Sequence, residues 1–239
     1  MHTPHIAAAF RAGSRFFAIV LATLTGFSGM TAASASSGSG RSASTHLKVT
    51  GRLVPGACTV HLAGSGMVSY GDIPRKNVPD DEPLKLGVRS VQFTVTCEDP
   101  MIIKVTARDE KSGTAVLGLV PGEDDLAFGL GSVNDSNIGQ FRIQSVPGTF
   151  FGQDAEGQTA PVDILYAYAD RPSWGRSDNP YFWSSGETRL SFASPGRLEP
   201  GAYRSVTGTF QIETYINRRA RLPGGSLPLA GLATVEIFY

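Results

Sequence analysis

The amino-acid sequence predicts an all-β fold, a β-sandwich, from three observations. Apolar residues alternate with polar ones in many short segments, which is the period of a strand with one buried face. Glycine and proline are frequent, 28 and 15 residues, and they cluster with Asn and Asp between those segments. No stretch after residue 35 carries a clean helical period, so strands at a spacing of about 8–12 residues favour a sandwich.

The internal strands are predicted in chain order from their alternation. They are residues 91–97, 101–107, 141–143, 164–168, 190–192 and 206–216. A turn at residues 98–100 (Glu-Asp-Pro) is predicted to separate the first two. The longest of these alternating stretches is residues 206–216.

The last thirteen residues, 227–239, alternate with a period of two up to the terminal carboxylate. One side carries Leu227, Leu229, Gly231, Ala233, Val235, Ile237 and Tyr239, and Phe238 falls on the other. Chain ends are usually polar and frayed, so an apolar terminal strand indicates that this terminus docks against something.

A second amphipathic strand is predicted at residues 47–53. Its apolar side carries Leu47, Val49, Gly51 and Leu53. The polar Ser- and Gly-rich stretch 36–44 precedes it, and such a composition is typical of a flexible linker. An apolar strand at the end of a linker is suited to a groove on another molecule.

Residues 1–35 are predicted to be a signal peptide. Arg11 and Arg15 precede an apolar run, residues 16–27, and the segment ends in Ala33-Ser34-Ala35. The run is shorter than the ~20 residues that span a bilayer, so export is favoured over an uncleaved anchor, and no membrane insertion of the mature chain is expected. Cleavage leaves 19 basic and 21 acidic residues, a balance that argues against a nucleic-acid partner. We predict an N-terminal extension over 36–57 and one domain over 58–239.

Cys58 and Cys97 are the two cysteines of the chain. An even pair in an exported protein predicts a disulfide, and two free thiols or a metal site are the poorer interpretations. No metal or other cofactor is expected, because His46 and His61 are the remaining histidines and no metal-ligand spacing occurs.

Enzymatic function is not expected. The acidic runs at residues 80–82 and 123–125 lie among Pro and Gly, which favours solvated turns over paired catalytic carboxylates or a calcium loop. The aromatic residues Trp174, Tyr181 and Trp183 lie in a proline-flanked loop. They are candidates for a ligand surface, although packing against the domain is the favoured interpretation.

In their order along the chain, these features resemble those of pilins of the chaperone–usher pathway. The resemblance consists of a signal peptide, a strand with Gly51 seven residues before Cys58, a cysteine pair 39 residues apart, and an alternating strand that ends on an aromatic residue. Length and the Phe-Gly-Leu-Gly stretch at 128–131 are most similar to a larger branch of fimbrial subunits.

The resemblance implies an incomplete immunoglobulin-like Greek-key sandwich that is completed by strand exchange. It implies a periplasmic chaperone, an outer-membrane usher and other pilus subunits as partners, with the mature chain passing through the periplasm to a fimbria on the cell surface. The implied donor-strand residues are Leu47, Val49, Gly51 and Leu53. The implied groove-edge residues are Ala233, Val235, Ile237, Phe238 and Tyr239.

Two alternatives stay open. Many pilins carry a tyrosine one place before the end, where this chain has Phe238, so the register of the last strand is open by one residue, and a slip of one exchanges its faces. An exported β-sandwich whose terminal strands pair internally would instead be a monomeric binding module for a carbohydrate or a protein. The sequence does not separate a main shaft subunit from a minor one.

Overall fold

The computed structural model of the chain describes residues 48, 56–171, 173–178 and 180–239. These residues form fifteen strands, which confirms the predicted all-β class. The strands are β1 (Cys58–Leu62), β2 (Leu84–Lys85), β3 (Arg89–Ile102), β4 (Lys104–Asp109), β5 (Phe128–Gly129), β6 (Ser132–Val133), β7 (Ser136–Asn137), β8 (Gly139–Ser145), β9 (Phe151–Gln153), β10 (Thr159–Pro161), β11 (Asp163–Tyr168), β12 (Gly175–Arg176), β13 (Thr188–Ala193), β14 (Ala202–Ile216) and β15 (Ala233–Phe238).

Helical structure in the described part of the chain is limited to short 3₁₀ turns. They are Ala63–Gly66, Arg75–Asn77, Asp124–Leu126 and Arg219–Arg221. Over the same residues, no helix has the length and apolar character needed to cross a membrane. The predicted signal peptide and, apart from Lys48, the predicted donor strand lie outside the described residues.

Two antiparallel sheets make up the domain. The first sheet has the order β1-β3-β14-β8-β5, with β2 beside one end of β14 and the β9–β10 pair beside the other. The second sheet has the order β12-β11-β13-β4-β15. A small β6–β7 hairpin is separate from both. The C-terminal strand β15 is therefore an edge strand of the second sheet.

The core lies between these two sheets, because each contributes its inward row of alternating residues. Phe93 and Phe210 of the first sheet contact each other with ring centroids 4.9 Å apart. Phe192 of the second sheet stacks on Phe150 at 5.4 Å, and the Phe150 ring also approaches Phe210. This interleaving of aromatic rings confirms the predicted sandwich.

The predicted turn at residues 98–100 is wrong, because β3 continues through them to Ile102. The register between β3 and β14 shifts between Tyr203 and Ser205, so the extra residues form a bulge rather than a reversal. A bulge tolerates Pro100, which has no N–H to donate. The Arg204 guanidinium donates a hydrogen bond of 2.8 Å to the Glu98 carbonyl and braces the irregular stretch. The chain passes to the second sheet at Ile103.

The predicted disulfide is present. Cys58 of β1 lies directly opposite Cys97 of β3 in the ladder, and the two sulfurs are bonded. The bond ties the edge strand β1 to the sheet along one side of the sandwich. It closes a loop that spans 39 positions and contains β1, β2 and most of β3.

Candidate functional site

A long groove opens along the side of the sandwich where β15 ends the second sheet; it is mainly apolar beside β15 and more polar toward Asp72 and Arg75. One wall is the segment 66–73, which begins at the end of the 3₁₀ turn after β1, and the other is the C-terminal segment 227–235. Its two connected cavities measure about 190 and 520 Å³. Its floor is the inner face of the first sheet, lined by Val91, Ile138, Phe141, Ile143, Phe210, Ile212, Thr214 and Ile216. This feature is referred to below as the groove.

The groove exists because the second sheet stops before it covers the first. Val60 of β1 lies opposite Val95 of β3, so both side chains point to the inner face. Val95 is fully buried, whereas Val60 is 38% exposed. Its exposed apolar surface is on the core side of the first sheet, so the second sheet leaves this part of the inner face uncovered.

The backbone of β15 has one unpaired edge. β15 pairs with β4 in antiparallel register, and no other strand among the described residues pairs with it. The Glu110 N–H donates to the Leu232 carbonyl, and ladder bonds alternate along a strand. The polar groups of residues 234, 236 and 238 therefore face β4. Those of Ala233, Val235 and Ile237 face away from β4, at the edge that adjoins the groove.

The side chains of β15 follow the same alternation. Ala233, Val235 and Ile237 are half-buried and pack against the core, whereas Thr234 points outward and is exposed. Phe238 also lies outside, 39% exposed, with the Arg189 guanidinium 5.1 Å from its ring centroid. The register of the last strand was open by one residue in the sequence. The structure resolves it, with Val235 and Ile237 on the core side.

The predicted alternation of residues 227–239 holds for burial but only in part for strand structure. Leu227 and Leu229 pack against the core although β15 begins at Ala233. Tyr239, predicted on the inward row, is 56% exposed. β15 ends at Phe238, which pairs with the first residue of β4, so Tyr239 has no neighbour on that strand.

Both groove walls are held by specific contacts. The Tyr70 hydroxyl donates to the Ile212 carbonyl at 3.4 Å, and the Arg89 guanidinium lies 4.8 Å from the Tyr70 ring centroid. On the opposite wall, a Cβ at Gly231 would lie 2.7 Å from a ring carbon of Phe141, so only glycine allows this approach. At one end, Arg75 donates to the Leu222 and Pro223 carbonyls and links the two walls.

The wall at 66–73 was missed by sequence reasoning, although a signal was present. Val68 and Tyr70 alternate with the exposed Met67 and Ser69, the same period that predicted the strands. Residues 67–74 belong to no helix or strand of the described structure, and Gly71 has a positive φ of 63°, so the alternation does not extend into a paired strand.

The aromatic residues proposed as a ligand surface are not brought together. Tyr181 lies over the outer face of the first sheet, with the Arg142 guanidinium 4.9 Å from its ring centroid. Trp183 contacts Tyr168 of β11 at 5.0 Å. In the described part of the chain no ring contact joins Trp174 to either of them. The side chains of Tyr181 and Trp183 lie apart because Phe182, which stands between them in the sequence, is fully buried in the core against Phe210.

The acidic runs at 80–82 and 123–125 take part in ion pairs and turns. Asp80 pairs with Arg219 at 2.6 Å, and the hydrogen bond from that guanidinium lowers the pKa of the Asp80 carboxyl. Glu123 contacts Arg142, and Asp124 accepts a hydrogen bond from the Gly118 amide. No cluster of three or more His, Cys, Asp or Glu side chains suited to a metal ion occurs among the residues that the structure describes.

Comparison with known proteins gives one family match and two relatives. Residues 47–126 match a family described as "Protein of unknown function (DUF1120)". The chain is 29% identical over 227 residues to Protein GltF of Escherichia coli (strain K12), covering 83% of this chain and 89% of that protein. It is 26% identical over 227 residues to the Uncharacterized protein YhcF of the same strain, covering 81% and 88%.

The similarities to the two relatives extend over about four-fifths of this chain and nearly nine-tenths of each relative. The family match covers about a third of the chain. It begins at Leu47, where the predicted donor strand begins, and it includes both disulfide cysteines.

Proposed function

We propose that this protein is a structural subunit of a surface fimbria that polymerises by donating residues 47–53 to the groove of a neighbouring subunit. The observation that carries this proposal is the groove itself, whose lining includes the partly buried apolar side chains of Leu62, Ile212 and Val235, with the unpaired edge of β15 beside it. An open edge next to incompletely buried apolar side chains promotes aggregation, and proteins usually cover such an edge. Addition of a strand from another chain supplies both the missing hydrogen bonds and the missing apolar cover.

Residues 47–53 match the groove in length and pattern. Seven extended residues span about 23 Å, and the six residues of β15 span about 20 Å. Leu47, Val49 and Leu53 would face the floor, while the intervening polar side chains would face solvent. Gly51 would lie where the groove is too narrow for a side chain.

The proposed pathway follows from the need to protect the groove before assembly. Residues 1–35 direct export, a periplasmic chaperone covers the groove, and an outer-membrane usher is where the next subunit's strand replaces the chaperone. The subunit needs no cofactor and catalyses no reaction in this scheme. Its apolar groove complements an extended apolar peptide, and no nucleic acid or membrane insertion of the mature chain is involved.

A monomeric binding module is the second candidate function. The observation that favours it is a separate open cavity beside Trp183, whose lining residues are not part of the groove. In that case residues 47–53 would occupy the groove of their own chain.

Replacement of Gly51 by leucine tests the proposal. We expect Gly51→Leu to leave export and folding intact but to prevent polymer formation, because the added side chain faces the floor of the neighbour's groove. The matched control is Thr50→Leu, which adds the same side chain one position away, on the solvent side of the strand. Surface extracts of each variant would be examined by electrophoresis without heating and by negative-stain electron microscopy.

Polymers from wild type and Thr50→Leu, with subunit but no polymers from Gly51→Leu, would support the exchange of strands. Equal polymers from all three would contradict the assignment of residues 47–53. A wild-type chain that is exported as a stable monomer would favour the binding module.

A further inference from the structure

A third cavity, separate from the two in the groove, lies at the end of the sandwich where β11 stops and β13 begins. It has a volume of about 590 Å³, which is within the range of small-ligand sites. It is lined by Tyr168, Ala169, Asp170, Arg171, Trp183 and Glu187. None of these residues lines the groove, so the two sites are separate.

Two aromatic rings in the cavity wall are held in place before any ligand arrives. Tyr168 and Trp183 meet edge to face, with centroids 5.0 Å apart and planes inclined by 75°. The Trp183 backbone N–H donates to the Thr188 hydroxyl at 3.0 Å, and Thr188 pairs with Tyr168 in the β11–β13 ladder. Thr188 is completely buried, so this hydrogen bond fixes the loop that carries Trp183 to the rigid part of the sheet.

The backbone also sets the shape of the charged side of the cavity. The Ala169 N–H donates to the Glu187 carbonyl at 2.7 Å, and the Arg171 N–H closes a turn on the Tyr168 carbonyl at 3.1 Å. These bonds place the side chains of Asp170, Arg171 and Glu187 around the aromatic pair. Both rings remain only partly buried. The Arg171 guanidinium lies over the Tyr168 ring, 5.8 Å from its centroid, so the Trp183 indole is the main apolar surface of the cavity.

The charges around the cavity disfavour an anion. Asp170 and Arg171 form an exposed ion pair at 3.8 Å, and Glu187 adds an unpaired negative charge. The three groups together carry one net negative charge. The site therefore combines apolar aromatic surface, hydrogen-bond acceptors and one guanidinium donor, without the excess positive charge that an acidic ligand requires.

We propose that this cavity binds a neutral pyranose unit of a glycan. A pyranose has an apolar face of C–H bonds, which suits the surface of an indole or phenol ring, and a rim of hydroxyl groups. The Asp170 and Glu187 carboxylates accept hydrogen bonds from those hydroxyls, and the Arg171 guanidinium donates to a ring or hydroxyl oxygen. The inference does not rest on the proposed polymerisation, because it uses different residues and holds for a monomer or a polymer.

A printed glycan array probed with the labelled, exported chain tests the proposal. We expect binding to a set of neutral glycans that share a terminal sugar and little binding to their sialylated forms. Trp183→Ala is expected to reduce the signal at least about tenfold, because it removes the stacking surface. The matched control is Trp174→Ala, since Trp174 lies outside the cavity and is the other of the two tryptophans.

Because Trp183→Ala could disturb the loop, rim variants keep the test informative. Asp170→Asn and Glu187→Gln change exposed carboxylates without loss of volume, and either should weaken glycan binding while the melting temperature stays unchanged. Trp174→Phe leaves Trp183 as the single tryptophan, so its emission should shift on titration with the disaccharide that the array identifies.

Absence of wild-type binding to any neutral glycan on the array would overturn the proposal. Retention of binding in Trp183→Ala and in both rim variants would also overturn it. Neither result would bear on strand exchange, which is measured by polymer formation.

Discussion

Replacement of Ile237 by aspartate is expected to abolish recovery of the subunit from the periplasm. Ile237 is half-buried on the core side of β15, and it pairs with Val105, which is almost fully buried. The substitution removes apolar burial worth about 1.5–3 kcal/mol. It also places an unpaired carboxylate between the groove and the core, which costs several kcal/mol more. Because folded domains are stable by about 5–15 kcal/mol, a loss of this size is decisive.

Glu236→Lys is the matched control for Ile237→Asp. Glu236 is the neighbouring residue of the same strand, its side chain points to the other face, and it is already charged. The measurement is the amount of each variant that co-purifies with the cognate chaperone from a periplasmic extract. If Ile237→Asp is recovered as well as wild type, β15 is not the docking strand and the binding module becomes the better interpretation.

Loss of the disulfide is expected to have the second-largest effect. Cys97→Ser opens a loop whose ends are 39 positions apart, and in the chain-entropy model such a loop contributes about 4 kcal/mol. The lost bond joins β1 to β3, and β1, which includes Val60, is the edge strand of the first sheet. We therefore expect a lower yield of exported protein and a lower urea midpoint of unfolding.

Wild type treated with a reductant is the control for Cys97→Ser, and both should unfold at similar urea concentrations. Alkylation of the native protein provides an independent check. Incorporation of label at Cys58 and Cys97 without denaturation would show that the two thiols are free and would contradict the disulfide.

The strands and the core were predictable from the sequence because burial imposes a period of two. Phe93 and Val95, on the core side of β3, are fully buried, and Phe210 of β14 occupies the equivalent inward position. The disulfide followed from the parity of two cysteines in an exported chain. The inward-facing residues of β15 were also predictable from the sequence, because Val235 and Ile237 alternate with the polar Thr234 and Glu236.

Other features depend on contacts that no local pattern encodes. Residues 98–100 (Glu-Asp-Pro) are of types that are common in turns. The pairing of β3 with β14 nevertheless extends beyond them, so they form a bulge within the strand. The separation of Tyr181 from Trp183 follows from the burial of Phe182 between them, and one aromatic residue in a loop gives no sign of which core it enters. The wall at 66–73 carries a short alternation at Val68 and Tyr70, but its role as a groove wall depends on the segment that lies across the groove from it.

The central claim is that residues 47–53 of another molecule complete the sheet beside β15. Hydrogen exchange at single amides of β15 tests it most directly, with a chain of residues 54–239 and a synthetic peptide of residues 46–54. Strand addition should slow exchange by at least about tenfold at Ala233, Val235 and Ile237, whose N–H groups face away from β4, and leave Thr234, Glu236 and Phe238 unchanged. The same peptide with Gly51→Leu should give no protection. Unchanged exchange at all three outward-facing amides with saturating wild-type peptide would contradict the claim.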